Sequence, residues 1–241
     1  MRLLVRTWNL YHGKSHPPSR RLYLERMVRL ATADAPDVVA LQEVPLWALG
    51  RLERWSGMAV RWAVTVPAVL AAPVARLLTE LDPLRFRGMI TGQANALLLN
   101  PHFEVGEQRL LLLNPGVSRW EWLFERGYQQ RFCQALTVRA RGHELVVANL
   151  HATNNFRLAE GEAGRAADFV ADAERCILSG DFNVRRFAVP TFSEPIDGID
   201  QILVRGLELE QGPAAWPKER RRVGGALLSD HAPVEAVVAW T

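Results

Sequence analysis

Two cysteines in 241 residues are too few to staple a scaffold, and Cys133 and Cys176 lack the spacing of a metal knuckle. Both read as small packed hydrophobes in a reducing compartment, so a cytoplasmic location is expected. Long apolar runs are also missing. The opening Arg2-Leu3-Leu4-Val5-Arg6-Thr7-Trp8 is too short and too regularly charged for a secretory signal, and reads as a first strand. The most apolar segment, residues 62–78, carries Pro67, Pro73 and Arg76. It falls short of the roughly 18 to 20 residues a membrane helix needs, and a core helix is expected there instead. Lysine is nearly absent: only Lys14 and Lys218 accompany the arginines, which make up 27 of the 29 basic residues. The planar arginine fork matches phosphate, so the composition permits a phosphate-bearing partner, although coding bias in a GC-rich genome explains it equally simply.

What is present describes an ordinary globular chain. Apolar residues make up 49% and charged residues 23%, with a net charge of +3, which argues against disorder, collagen-like and coiled-coil architectures. The length suggests roughly one to two domains, and with no repeat, low-complexity tract or linker a single domain over 1–241 is expected. Apolar runs bounded by Gly, Pro, Asn or Asp predict strands at 3–10, 38–43, 94–100, 132–140, 144–150, 176–180, 199–204 and 232–240. Helical spacing predicts helices over 20–33, 159–172 and 69–81, the first with Arg21/Glu25 and Glu25/Arg29 as i,i+4 pairs. Strands interleaved with helices, plus direct strand succession near 132–150, imply an α/β domain with mixed sheets.

Several predicted strands end at, or directly beside, a polar residue able to bind metal or move a proton: Asn9, Glu43, His151, Asp181 with Asn183, and Asp230-His231 before the last. Singly, each has a bland reading. Asn9 suits a turn, Glu43 an exposed strand end, His151 a satisfied structural histidine, Asp181 and Asn183 an Asx turn, and Asp230 a cap. Together they sit where α/β proteins assemble ligand sites, on the rim where loops converge. His12, close after Asn9, reads as part of a solvated loop.

The chain resembles the endonuclease/exonuclease/phosphatase superfamily of DNase I-like metal-dependent phosphoesterases. The matching motifs are Thr7-Trp8-Asn9-Leu10, Leu41-Gln42-Glu43-Val44, Ala148-Asn149-Leu150-His151, Ser179-Gly180-Asp181-Phe182-Asn183, Ile199-Asp200-Gln201-Ile202-Leu203 and Ser229-Asp230-His231-Ala232-Pro233-Val234, in family order. Asn95-Ala96-Leu97-Leu98-Leu99 resembles a further family strand, with Ala94 where glycine is common. The resemblance implies a four-layer α/β sandwich of two packed mixed β-sheets flanked by helices, with the site at one edge. It implies Mg²⁺, with Mn²⁺ as a possible substitute, held by Glu43 with Asn9 and Asp230. Asp181 would activate the attacking water, with Asn183 fixing it. His231 would donate to a phosphoryl oxygen with Asp200 as its partner, and His151 would donate to the phosphate or leaving group. A histidine at 151, where much of the superfamily has tyrosine, is nearer the DNase I and sphingomyelinase branches.

Within such a superfamily the substrate must be read from local features. Arg119-Trp120-Glu121-Trp122-Leu123-Phe124, with Arg126 and Arg131, interleaves arginine with aromatics as a nucleic-acid rim does, and fits an amphipathic helix equally well. Lys218-Glu219-Arg220-Arg221-Arg222 precedes the Ser229-Asp230-His231 turn and reads either as a solvated face or as a phosphate guide. Asn95, Arg119, Arg131, Arg220, Arg221 and Arg222 are thus the candidate substrate contacts. The expected partner is a phosphate ester, with nucleic acid preferred over an inositol-phosphate, sphingomyelin-like or other small phosphorylated substrate; no protein partner and no membrane insertion are indicated. Only sixteen residues separate Asn183 from Asp200, which leaves no room for a large recognition insertion and predicts a compact, open site.

Overall fold

The structure is a computed structural model and describes residues 1–81, 91–115 and 129–240. Its strands are β1 (Arg2–Asn9), β2 (Ser15–His16), β3 (Val38–Pro45), β4 (Ala59–Val66), β5 (Gln93–Leu99), β6 (Glu104–Leu112) and β7 (Phe132–Ala140), followed by β8 (His143–His151), β9 (Cys176–Asp181), β10 (Asp200–Arg205), β11 (Glu208–Ala215), β12 (Arg222–Val223), β13 (Ala226–Leu228) and β14 (Val234–Ala239). The helices are α1 (Leu24–Thr32), α2 (Leu52–Ser56), α3 (Ala72–Leu81) and α4 (Phe156–Phe169). Two large sheets result, in the orders β11-β14-β1-β3-β5-β4 and β10-β9-β8-β7-β6, with β12-β13-β2 as a small third sheet. Each large sheet is mixed: β1 runs parallel to β3 and β8 to β9, and their other neighbours are antiparallel.

The alternation of side chains along the strands explains the layering. Val38 and Ala40 face the opposite sheet, whereas Val39 and Leu41 face α1 and α2; β5 divides likewise into Leu97 and Leu99 against Ala96 and Leu98. In the second sheet Leu145 and Val147 point inward, and Val146, Ala148 and Leu150 point to α4. Strands covered on both faces read as continuous apolar runs, which is why the central ones are legible from sequence. The α4 helix meets its sheet through Ala159, Ala163, Ala166 and Ala167, small residues that let the helix lie close. The result is the four-layer α/β sandwich, with apolar cores between the sheets and under the helices on each outer face.

Some expectations change. The apolar segment 62–78 is not a core helix: it begins inside β4, with Trp62 and Val64 exposed, and the helix starts only at Ala72. Pro67 interrupts the ladder after Val66, separating strand from helix. α1 begins at Leu24, not at residue 20; Glu25 pairs with Arg29 as expected, while Arg21 stacks over the Tyr23 ring. β2, β6, β11, β12 and β13 lie outside the strands that the apolar runs predict. No helix among the described residues is long and apolar enough to cross a membrane.

Candidate functional site

Asn9, Glu43, His151 and Asp181 lie at or near the C-terminal ends of β1, β3, β8 and β9, and Asp200 opens the antiparallel β10. The register puts His151 opposite Asp181 and Asp181 opposite Asp200, so three neighbouring strands deliver a row of titratable side chains to one rim. Gly180 makes this row possible. Its φ is +140°, and a Cβ there would sit 2.0 Å from the Leu150 carbonyl oxygen, so only glycine lets β9 approach β8 this closely. Glu43 also sits at positive φ, +53°, where the β3–β5 register slips between Leu41 and Val44; the bulge turns its carboxylate toward the site.

Both oxygens of Asp181 are held. Asn9 Nδ2 donates to Oδ2 at 3.0 Å and the Asn183 backbone N–H to Oδ1 at 3.1 Å, while Asn183 Nδ2 donates to the Ala152 carbonyl at 2.9 Å. Burial, with the charge of Asp200 behind it, pushes Asp181 up to about 7 despite the opposing charge of His231. His231 Nδ1 meets Asp200 Oδ2 at 2.8 Å, and its Nε2 lies 3.8 Å from Asp181 Oδ2. Burial opposes charge on this ring, but the hydrogen bond and charge of Asp200, reinforced by Asp181 and Asp230, overcome it and push His231 up to about 10. His231 is therefore an imidazolium at neutral pH.

His151 is the opposite case. Burial first, then the charges of Arg131, His231 and His12, hold it well below its ordinary value, so it is neutral. Arg131 Nη1 lies 3.0 Å from both of its ring nitrogens, and His151 Nε2 lies 3.5 Å from Asp181 Oδ2 and 3.9 Å from Glu43 Oε1. Arg131 is itself buried; burial lowers it, and Glu43, Asp181 and Glu162 counteract by their charge. Glu162 also accepts from the Thr153 backbone N–H at 2.6 Å and Thr153 Oγ1 at 2.7 Å, fixing the chain just after His151. Burial would raise Glu43, but the cationic neighbours His12, His231 and Arg131 and the Asn9 amide hold it below its ordinary value.

The candidate substrate contacts separate. Arg119 lies outside the described residues. Asn95 is fully buried and bridges the sheets, donating to the Phe132 carbonyl at 3.2 Å. Arg131 lies beneath His151, not on the surface. Arg220 pairs with Glu235 at 2.8 Å and Asp34 at 3.4 Å and covers the Trp216 ring. Arg221 is buried, and one Nη1 donates to the carbonyls of Leu228, Ser229 and His231 at 2.9, 2.9 and 3.0 Å. Arg222 is exposed and donates to Gly225 O at 3.3 Å. The basic run is thus neither a uniform solvated face nor a uniform phosphate guide: Arg220 braces a surface cluster and Arg221 clamps the turn that presents His231. That turn is further tied by Ser229 Oγ, which donates to the Asn9 carbonyl at 2.7 Å, and by Trp8 Nε1, which donates to the His231 carbonyl at 3.1 Å.

His12 was missed. It is 3% exposed, and its Nε2 faces Glu43 Oε2 at 3.3 Å, so it belongs to the floor of the site, not to a solvated loop. Gly13, at φ +81° and with its Cβ position 2.7 Å from Leu24 Cβ, seats this turn, but no residue type in the sequence reports the direction of the His12 ring.

The donor set fits a divalent cation. Glu43 Oε2 is buried and accepts no hydrogen bond. Asn9 Oδ1 accepts one from the Tyr11 backbone N–H at 3.0 Å and keeps a second lone pair. Asp181, Asp200 and His231 also offer ligand atoms within 4.8 Å of one another. His231 and Asp200 are, however, bonded to each other, and a metal there would have to break the 2.8 Å pair. Glu43 is the better anchor because its Oε2 accepts no hydrogen bond, with His12 Nε2 facing it at 3.3 Å.

A comparison with curated proteins finds no match. Solved structures share the fold at low identity: a functionally unknown conserved protein from Enterococcus faecalis V583 (16% identity, TM-score 0.71, covering 98% of this chain and 99% of that one), an endonuclease/exonuclease/phosphatase from Bacteroides vulgatus (15%, 0.70, 100% of both chains), and humanized D. rerio TDP2 (14%, 0.68, 99% of both chains). The model of the Endonuclease/Exonuclease/phosphatase family matches residues 7–231, spanning every element that builds the site. The chain belongs to the endonuclease/exonuclease/phosphatase family and is a metal-dependent phosphoric ester hydrolase.

Proposed function

We propose that this phosphoesterase is a phosphodiesterase acting on nucleic acid, hydrolysing the ester by in-line attack of water. Asp181, with a pKa near neutrality, accepts the proton of the attacking water; Asn9 and Asn183 leave its carboxylate one orientation. The imidazolium of His231 donates its Nε2–H to a phosphoryl oxygen, Nδ1 being occupied by Asp200. Neutral His151 has one N–H to give, to the phosphate or the leaving oxygen, and its burial, with the Arg131 charge beneath it, keeps it from taking up a proton. Glu43, with Asn9 and Asp230, would hold a divalent ion, which when bound would supply Lewis-acid charge relief on the phosphoryl group, and an oxygen donor set of this kind suits Mg²⁺.

One observation carries the choice of nucleic acid. The chain leaving His151 displays Phe156, 65% exposed, with the Arg157 guanidinium 5.7 Å from its ring, and the chain leaving Asn183 displays the exposed Arg185 and Arg186, two cations that share the single carboxylate of Asp197 at 3.6 and 3.4 Å. The Asn183–Ala152 bond ties these two segments together beside the catalytic row. An exposed aromatic face beside cations is what a base stack flanked by phosphates uses. A panel of plasmid, single-stranded DNA, RNA, inositol phosphates and sphingomyelin, assayed with added divalent metal, tests the reading. Cleavage of the nucleic acids is expected, and Phe156→Ala should raise KM for an oligonucleotide about tenfold. Cleavage confined to the lipid or the inositol phosphates overturns it.

A further inference from the structure

We infer that His12 is a direct ligand of the metal alongside Glu43, and that this nitrogen donor makes the site prefer a transition ion of the Mn²⁺ type over Mg²⁺. The inference rests on the reading of Glu43 as metal anchor and extends it to a residue outside the six motifs. His12 belongs to a single 3₁₀ turn, Tyr11–Gly13, that follows β1 directly. Tyr11, His12 and Gly13 all have positive φ, at 49°, 52° and 81°. Two consecutive non-glycine residues in the left-handed region are disfavoured and persist only where surrounding contacts over-determine them. Here those contacts are the Tyr11 N–H on Asn9 Oδ1 at 3.0 Å, the Tyr23 N–H on the Gly13 carbonyl at 2.7 Å, and the close seat of Gly13 against Leu24.

What the strained turn achieves is aim. It brings the His12 ring inward to 3% exposure, facing a second residue of unusual backbone, Glu43 at φ +53°. The two side chains, from the ends of the parallel neighbours β1 and β3, meet with Nε2 and Oε2 3.3 Å apart, and Oε2 accepts no hydrogen bond. Two donors each about 2.1 to 2.2 Å from one ion, at nearly a right angle, lie about 3 Å apart. The observed separation therefore suits two ligands of one ion better than a finished ion pair. The nearby His151 ring is engaged by Arg131 and sits farther from the Glu43 carboxylate, at 3.9 Å. Hard oxygen sites suit Mg²⁺, whereas an imidazole nitrogen shifts preference toward first-row transition ions.

The test is Mn²⁺ and Mg²⁺ binding to the full chain by calorimetry, with pulsed EPR of bound Mn²⁺ to detect coupling to a coordinated imidazole nitrogen. Wild type should bind Mn²⁺ at least about tenfold more tightly than Mg²⁺. His12→Ala should lose the coupling and about tenfold in Mn²⁺ affinity, with Mg²⁺ affinity changed far less. His12→Gln, which keeps a polar side chain, provides a second variant, and uniform ¹⁵N-histidine labelling of wild type should change the EPR coupling without altering the fold. An unchanged coupling in both variants, equal affinities for the two ions in wild type, or no imidazole coupling at all overturns the inference. Glu43→Gln separates the two readings: if it binds both ions as wild type does, the Glu43 anchor itself is wrong, whatever His12 does.

Discussion

Removing the carboxylate of Asp200 while keeping its shape, as in Asp200→Asn, isolates the electrostatic part of the His231 pair. The displacement of His231 from its ordinary 6.5 to about 10 corresponds to roughly 5 kcal/mol in favour of the imidazolium. That charge is sustained against burial chiefly by Asp200, so without it the ring should titrate near or below 6.5. Asp181, relieved of a neighbouring negative charge, should move down from about 7. With the roles proposed for them, turnover needs Asp181 ionised and His231 protonated, so wild type should be most active between about 7 and about 10, with bound metal drawing the acid limb lower. In Asp200→Asn the alkaline limb collapses to near neutrality. A ring of pKa about 6.5 is only about 1% protonated at pH of about 8.5, so the variant should be about 100-fold slower there and within about twofold of wild type near pH of about 6.5, where the ring is half protonated. The assay is kcat/KM for a small chromogenic phosphodiester across this range, with NMR titration of ¹⁵N-histidine. The stability linkage has the matching sign: a raised folded-state value stabilises fully below the unfolded-state 6.5, and that contribution fades as pH rises through about 10. A rate loss independent of pH, or a His231 resonance still titrating near its wild-type value, would refute the electrostatic role.

Three other perturbations follow from the geometry. Arg221→Met takes the guanidinium donor from the buried carbonyls of Leu228 and Ser229, the His231 carbonyl keeping Trp8 Nε1, and should destabilise the fold by about 3 kcal/mol, measured by urea unfolding, while leaving the salt dependence of substrate binding unchanged; a flatter salt slope would restore Arg221 as a phosphate contact. Gly180→Ala forces a Cβ against the Leu150 carbonyl at positive φ and should cost more than about 3 kcal/mol, so a wild-type melting temperature would show that β8 and β9 are not held this close. Arg6, 1% exposed, hydrogen-bonds Asp34 and Glu235. Asp34 is held below its ordinary value first by that bond; Glu235 is held down, against burial, by the Trp216 indole beside it and by bonds from Arg6 and Arg220. Depressed carboxylates stabilise above their unfolded-state values and lose this as pH falls through the folded ones, so Arg6→Met should lose most stability at neutral pH and the gap should narrow in acid. A gap constant with pH, read from unfolding curves, would assign the whole effect to packing.

Much of this molecule is written in strand ends. The central strands are buried on both faces, so composition alone betrays them, and β1, β3, β8 and β9 carry at or near their ends the polar residues Asn9, Glu43, His151 and Asp181 that the rim uses. Edge strands obey no such rule. β11 carries Gly212 and Pro213 and shifts register twice against β14, and β6 is half-exposed, so neither needs an apolar signature. β4 was hidden inside an apolar stretch whose period changes at Pro67. The arginine run is the clearest case of information absent from sequence: three identical neighbours have three fates, a surface brace, a buried clamp and an exposed hairpin contact. Which fate each takes depends on the backbone that curls around it. His12 was illegible for the same reason, since its direction comes from backbone angles that a residue type does not report.

The position of the site at this end of the sandwich has a physical cause in the amides behind it. Toward the opposite end the sheets meet through Leu, Val and Ile, which fix distance but not direction. Near the rim the contact becomes polar. Gln42 Nε2 donates to Thr7 Oγ1 at 3.0 Å and to Asn149 Oδ1 at 2.8 Å, and Asn149 Nδ2 donates to the carbonyls of Leu41 and Ala96 at 3.0 and 3.1 Å. Leu41 and Ala96 are the last paired residues before the register slip that turns Glu43 inward. A bulge leaves ladder carbonyls in want of donors, and a buried carbonyl without a donor costs about 1 to 3 kcal/mol. Asn149, one strand position from the pair Leu150–Gly180, provides those donors from the other sheet. The irregularity that aims Glu43 is therefore stabilised by the strand that ends in His151, and hydrogen bonds, being directional, set the two sheets in one register at the rim. Glu43 from the first sheet and His151 with Asp181 from the second are held in mutual geometry before any ligand arrives, which is the condition for electrostatic catalysis without reorganisation.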